Sequence, residues 1–355
     1  MVTRRSTGAL GLLLLNSVSH LLVDALCAAT IFGPVSRSGD LGLMILFYNT
    51  LAFSTQCVVG LAADRIRRHP PMAAFSMLLV VAGFALPVPA VLRILLVGLG
   101  NSGFHVAGGC MTLERSEGKA GPLGVFVAPG AIGLTLGILR PALGPVFAAL
   151  LAVAASLTIP MASRAPAIEE QPPIPAKKTG VILPVLLLTA AVAVRAVGGS
   201  AVSFPWKTTA ALTLLLTLSV WAGKTAGGFV CDRLGPGRSA WISVPTAAVL
   251  IAFCASWMLP SLAGQLALNL TMPVTLWLLY RAMPDSPGFA FGLAASALWP
   301  GTIAGQWITL TGPTQWILVL LCFLFGLAAI LYAAKTVLPS PDGERRKPHS
   351  KEECP

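Results

Sequence analysis

The chain has 355 residues, of which 55% are hydrophobic and 10% charged, with a formal net charge of +11. Soluble domains carry about 25% charged residues, so this balance excludes a soluble globular protein and points to an integral membrane protein. The basic residues lie at the ends of apolar segments, as the positive-inside rule requires, and no nucleic-acid partner is expected.

The first apolar segment, 8–32, sets the problem that the rest of the chain must solve. It carries Asn16, His20 and Asp24 at a spacing of four. On a helix these stack on one slowly drifting stripe roughly 12 Å long. An Asp at the centre of a membrane helix costs about 2.5–3.5 kcal/mol if it faces lipid, so the stripe should face protein or a water-filled path. Arg4 and Arg5 before this run imitate a signal peptide. The buried His20 and Asp24, and the spans that follow, argue against cleavage.

Eleven further segments are apolar enough to count as spans: 41–63, 72–89, 91–112, 121–139, 141–162, 180–202, 209–230, 239–258, 262–281, 287–309 and 313–335. The expected fold class is an all-α membrane protein with twelve transmembrane helices in two six-helix repeats. The domains are 1–162 and 181–338, joined by a Pro-rich charged linker at 163–180. The polar tail 339–355 is expected to be disordered. With twelve spans both termini share one side. Arg65, Arg67, Arg68, Arg115, Lys119, Arg233 and Arg238 fall on that side, and only Arg37, Arg93, Arg140 and Lys207 on the other. Both termini should therefore be cytoplasmic, in a bacterial cytoplasmic membrane. The seven cysteines are scattered without metal-ligand spacing and read as small packing residues.

An internal repeat supports the two halves. Gly60-Leu-Ala-Ala-Asp64-Arg65 recurs 168 positions later as Gly228-Phe-Val-Cys-Asp232-Arg233. At the same offset Asn101 meets Asn269 and Gln56 meets Lys224. Gly121-x7-Pro129-Gly130 recurs as Gly292-x7-Pro300-Gly301, at an offset of 171. Such parallel repeats are related by an axis along the membrane normal.

Six plus six spans, with Gly-x-x-x-Asp-Arg after the second and the eighth, resemble the major facilitator superfamily. The resemblance covers the whole membrane portion. It implies that Gly60, Asp64, Arg65, Arg68, Gly228, Asp232 and Arg233 form gating loops, in which Asp and Arg make a charge-assisted latch holding the outward-open state. Ser19-His20-Leu21-Leu22-Val23-Asp24 and Gly98-Leu99-Gly100-Asn101-Ser102-Gly103-Phe104-His105 resemble the first and fourth spans of the fosmidomycin-resistance branch. This chain has Val23 where that branch has Asn, and Val106-Ala107 where it has Pro and an acid. The fifth span, with Pro129-Gly130, loosely resembles the glycine-proline motif of antiporters. Pro129, Gly130, Pro300 and Gly301 are expected to bend their helices.

The buried ionisable groups are unevenly divided. His20, Asp24 and His105 lie in the first half, Arg195 and Lys224 in the second. Asp24, His20 and His105 are expected to handle protons. Arg195 and Lys224, with Asn16, Asn49, Asn101 and Asn269, are expected to hold the substrate. If Asp24 is ionised and the histidines neutral, the interior keeps about one positive charge, which favours an anionic or zwitterionic small molecule. The competing assignment pairs Asp24 with Arg195 as a structural ion pair.

The expected function is secondary active transport by alternating access, as proton-coupled export by a monomer in the lipid bilayer. No cofactor or metal is expected, and no nucleotide-binding loop is present to use ATP. An uncoupled facilitator is the alternative. An intramembrane enzyme, with His20 and Asp24 as metal ligands or base, lacks a His-Glu-x-x-His motif in a chain of four histidines.

Overall fold

The computed structural model describes residues 2–37, 39–165, 180–308 and 310–338, and all regular structure among them is helical. Most of the expected linker and the tail 339–355 lie outside the described residues. Helix α1 (Val2–Phe32) runs to the Gly33-Pro34 turn. Helix α2 (Leu41–Asn49) starts at Asp40, whose carboxylate accepts from the Leu43 N–H. A π-helical turn, Thr50–Ser54, separates it from α3 (Gln56–Ile66), which Arg67 ends in a left-handed conformation at φ 51°. Then come α4 (His69–Ala85), α5 (Ala90–Glu114), α6 (Gly121–Val127), α7 (Pro129–Leu139) and α8 (Gly144–Arg164). The second half holds α9 (Ile182–Ser200), α10 (Ala210–Leu234), α11 (Pro236–Cys254) and α12 (Met258–Ala282). It closes with α13 (Pro287–Ser296), α14 (Trp299–Trp307) and α15 (Gly312–Val337).

Among the described residues ten helical stretches are long and apolar enough to cross a membrane. The two remaining expected spans depart for visible reasons. The third is α4, a shorter apolar helix of 17 residues, because Pro87 and Pro89 follow it closely. The eleventh is divided into α13 and α14, because the run of α-helical hydrogen bonds is interrupted at Ala297 and Leu298 just ahead of Pro300, although both residues keep right-handed helical dihedrals.

Within the first half α1 packs on α5, α7 and α8, and α4 on α5 and α8. Within the second, α12 packs on α10 and α11, and α15 on α9 and α11. Long side chains such as Leu14, Leu150, Val153, Leu321 and Leu324 cover the outside, as a lipid-facing surface requires. Against them, His20 and Asn101 are 5% and 3% exposed. Gly133 sets α7 directly on the backbone of α1 at Leu21, where a Cβ would collide with the Leu21 carbonyl.

The halves meet through α3 against α13 and α6 against α10. These two contacts match residue for residue at the 168-position offset. The Asp64 carboxylate accepts from Gly288 N (2.7 Å) and Phe289 N (2.8 Å) at the start of α13. The Asp232 carboxylate accepts from Ala120 N (2.7 Å) and Gly121 N (2.8 Å) at the start of α6. Gly60 lies against the Gly288 backbone, and Gly228 against that of Ala120 and Gly121. Gly292 faces the Gln56 carbonyl as Gly124 faces that of Lys224. The offset is thus 168 at the starts of these helices and 171 at their prolines, because α13 has 10 residues before its break and α6 has 7.

Candidate functional site

Between the halves lies a cavity of about 350 Å³. Its wall is apolar, with Phe53, Leu134, Met272, Phe291 and Leu298, and is broken by seven polar side chains: His20, Asp24, Gln56, His105, Arg195, Lys224 and Thr275. A mostly apolar hollow with a few convergent polar groups is the usual build of a small-molecule site.

The first half contributes a three-residue cluster. His20 Nε2 stands 3.4 Å from Asp24 Oδ2, and His105 Nε2 stands 3.6 Å from Asp24 Oδ1. Asn101 Nδ2 donates to Asp24 Oδ1 at 3.0 Å. The two imidazoles meet edge to face, with centroids 4.3 Å apart. Each ring is anchored at its other nitrogen. His20 Nδ1 donates to the Phe126 carbonyl at 2.8 Å, and His105 Nδ1 to the Asn101 carbonyl at 2.9 Å. A carbonyl only accepts, so both Nδ1 atoms carry hydrogen. In a neutral ring the Nε2 is then a lone pair, and both lone pairs face one carboxylate. That arrangement repels unless a proton sits on an imidazole or on the carboxyl group. The cluster is therefore built to hold a proton.

The Phe126 carbonyl lies beside the fifth span's break. The helix is interrupted at Ala128, and Pro129, which has no N–H, leaves the neighbouring Val125 carbonyl without its helical partner. Gly130 follows at once. A Cβ there would collide with both Asp24 Oδ2 and His20 Nε2, so glycine lets α7 close over the cluster.

The second half contributes cations. Arg195 Nη1 donates to Thr271 Oγ1 at 3.2 Å. Lys224 lines the same cavity and has no hydrogen bond or ion pair among the described residues. Arg195 and Asp24 do not form an ion pair; the carboxylate is engaged by the two histidines and Asn101. The cavity thus holds two cations on one wall and one shared carboxylate on the other.

Other expected site residues fall elsewhere. Asn16 is 2% exposed and lines a separate pocket of about 180 Å³ beside Thr112 and Arg115. The stripe on α1 drifts by about 80° over eight residues, which carries Asn16 away from Asp24. Asn49 ends α2 and is not on the cavity wall. Asn269 Nδ2 donates to the Gln265 carbonyl and packs beside Gly223. Asn101 positions Asp24 rather than lining the cavity.

In the two loops expected to gate, Asp64 and Asp232 bond across the halves without the arginines. Arg65, Arg68 and Arg233 are exposed and make no ion pair among the described residues. The physical reason is that the first N–H groups of a helix are unpaired and carry positive partial charge, so Asp64 and Asp232 find ready donors there. Sequence reasoning missed Ser296. Its hydroxyl accepts from Cys57 N (3.0 Å) and donates to the Phe53 carbonyl (2.9 Å), closing the backbone opened by the π-helical turn. Trp299 Nε1 to Thr50 Oγ1, at 3.2 Å, and the Thr135–Thr217 hydroxyl pair, at 2.7 Å, join the halves further along.

No family model matches the chain, and no curated protein matches it. Among solved structures it is similar to the crystal structure of the E. coli fucose:proton symporter FucP. The TM-score is 0.59 at 13% identity, over 93% of this chain and 99% of that one. The fold is the major facilitator fold, and the chain is an integral membrane protein.

Proposed function

We propose that this protein is a secondary active transporter that moves a small anionic or zwitterionic molecule by alternating access. Its twelve spans form two six-helix halves, 1–162 and 181–338, which rock about the central cavity with both termini in the cytoplasm. The observation that carries the reading is the division of charge in that cavity. Two cations without a carboxylate partner face a His–Asp–His cluster that needs a proton. Arg195 grips a carboxylate or phosphonate through two parallel hydrogen bonds, and Lys224 adds a point charge. Asp24, His20 and His105 take up and release the coupling proton as the cavity changes sides. The structural neighbour's being a proton symporter agrees with proton coupling. Export is assigned on the likeness of spans one and four to the fosmidomycin-resistance branch.

The two Asp-capped helix starts support a latch on the cytoplasmic side. Each half closes on a helix N-terminus of the other, and both caps must open for the cavity to face inward. The test is a thermal-shift screen of small anions and cations on detergent-purified protein, since a ligand of the native state raises its apparent stability. Stabilisation by carboxylates or phosphonates, reduced in Arg195→Lys, is the expected result. Stabilisation by organic cations alone overturns the substrate assignment.

A further inference from the structure

We propose that His20, Asp24 and His105 also form a binding site for a first-row divalent metal ion of the zinc class, held from the cavity side. The inference concerns the same three side chains as the coupling reading, but stands on their geometry as ligands rather than on transport.

Three observations carry it. The first is convergence. Among the described residues this is the one group of three histidine, cysteine or carboxylate side chains whose ligand atoms all lie within 4.8 Å of one another. Zinc takes imidazole nitrogen and carboxylate oxygen at about 2.0–2.2 Å, which puts neighbouring tetrahedral ligands about 3.4 Å apart. His20 Nε2 has Asp24 Oδ2 at 3.4 Å and His105 Nε2 has Asp24 Oδ1 at 3.6 Å, so each nitrogen meets one oxygen of the shared carboxylate at about that spacing.

The second is orientation. A metal-bound histidine donates its other ring N–H to a carbonyl or carboxylate, which fixes the tautomer and aims the free nitrogen. Both rings do this here, to Phe126 O and Asn101 O. Asn101 further holds the carboxylate. The ligands are thus set before any ion arrives, on two elements: His20 and Asp24 on α1, and His105 on α5.

The third is the open side. All three ligands line the central cavity, so the fourth position faces space rather than protein. Arg195 and Lys224 on the same cavity oppose a bare dication. An anion bridging the metal and these two cations removes that cost. The ligand class is therefore a divalent metal bound together with a carboxylate- or phosphonate-bearing molecule.

The experiment is a cobalt(II) titration of tag-free, full-length protein in detergent, read by the visible bands of tetrahedral cobalt and repeated with methylphosphonate. One saturable site per chain is expected, displaced by zinc and tightened by methylphosphonate. His105→Gln and His20→Gln each weaken it at least tenfold. His69→Gln, remote from the cavity, leaves it unchanged and controls for folding. No saturable binding, or binding kept within twofold in both cavity variants, overturns the site. Proton-driven flux measured in chelator reports the transport reading separately: cobalt binding lost with flux intact rejects only the metal, and the converse rejects only the coupling.

Discussion

Removing the Asp64 carboxylate should release one of the two inter-half caps. In Asp64→Ala the backbone N–H groups of Gly288 and Phe289 lose charged acceptors at 2.7 and 2.8 Å. Hydrogen bonds to a charged group contribute about 1.5–3 kcal/mol each. Asp64 is partly exposed, so water replaces much of this, and the net loss is about 1.5–3 kcal/mol for the pair. At about 1.4 kcal/mol per decade, the ratio of closed to open cytoplasmic ends falls roughly ten- to a hundredfold. Asp232→Ala removes an equal pair from α6 and should do the same. The double variant should add the two shifts, because the sites share no partner. The assay is a spin-label distance distribution between Ile66→Cys and Leu234→Cys, both exposed and in opposite halves, in a background without the native cysteines. A longer distance should gain population in each single variant and dominate in the double. An unchanged distribution in a folded double variant refutes the latch and reduces both Asp residues to topology markers.

Three further outcomes follow from the cavity and the bundle. Arg195→Lys should weaken anion binding about tenfold although charge is kept, and Lys224→Ala should weaken it as well; equal affinity by titration calorimetry in both variants removes them from the substrate site. Gly130→Ala places a methyl between Asp24 and His20, and overpacking of this kind costs about 1–3 kcal/mol. It should abolish flux while the protein stays folded by thermal melt and size exclusion, and normal flux contradicts the close approach of α7. For topology, a cysteine in place of Lys207 should react with an impermeant maleimide on intact cells, and one in place of Gln171 should not; the opposite pattern inverts the molecule.

Much of this was legible in the residues because membrane chemistry is unforgiving. His20 and Asp24, four apart in an apolar run, had to face inward, and His105 on another span had to join some polar interior. The structure brings the three together. The repeat was legible at Gly60 and Gly228 because close backbone contact tolerates no side chain there. What escaped was the role of main chain. The Phe126 carbonyl orients His20, and helix N-terminal N–H groups, not arginines, receive Asp64 and Asp232. Backbone donors and acceptors carry no residue identity, so no pattern of letters marks them. Asn16 escaped for a geometric reason, since a spacing of four is not a whole number of turns.

The most direct test of the central claim is gradient-driven transport against exchange in proteoliposomes, comparing the intact protein with Asp24→Asn and using an anion found in the binding screen. Asn keeps the shape of the side chain and cannot titrate, and it still reaches Asn101, His20 and His105. The account predicts that a pH gradient drives accumulation only in the intact protein, while Asp24→Asn retains one-for-one exchange of labelled for unlabelled substrate. Accumulation driven by the pH gradient in Asp24→Asn would contradict it.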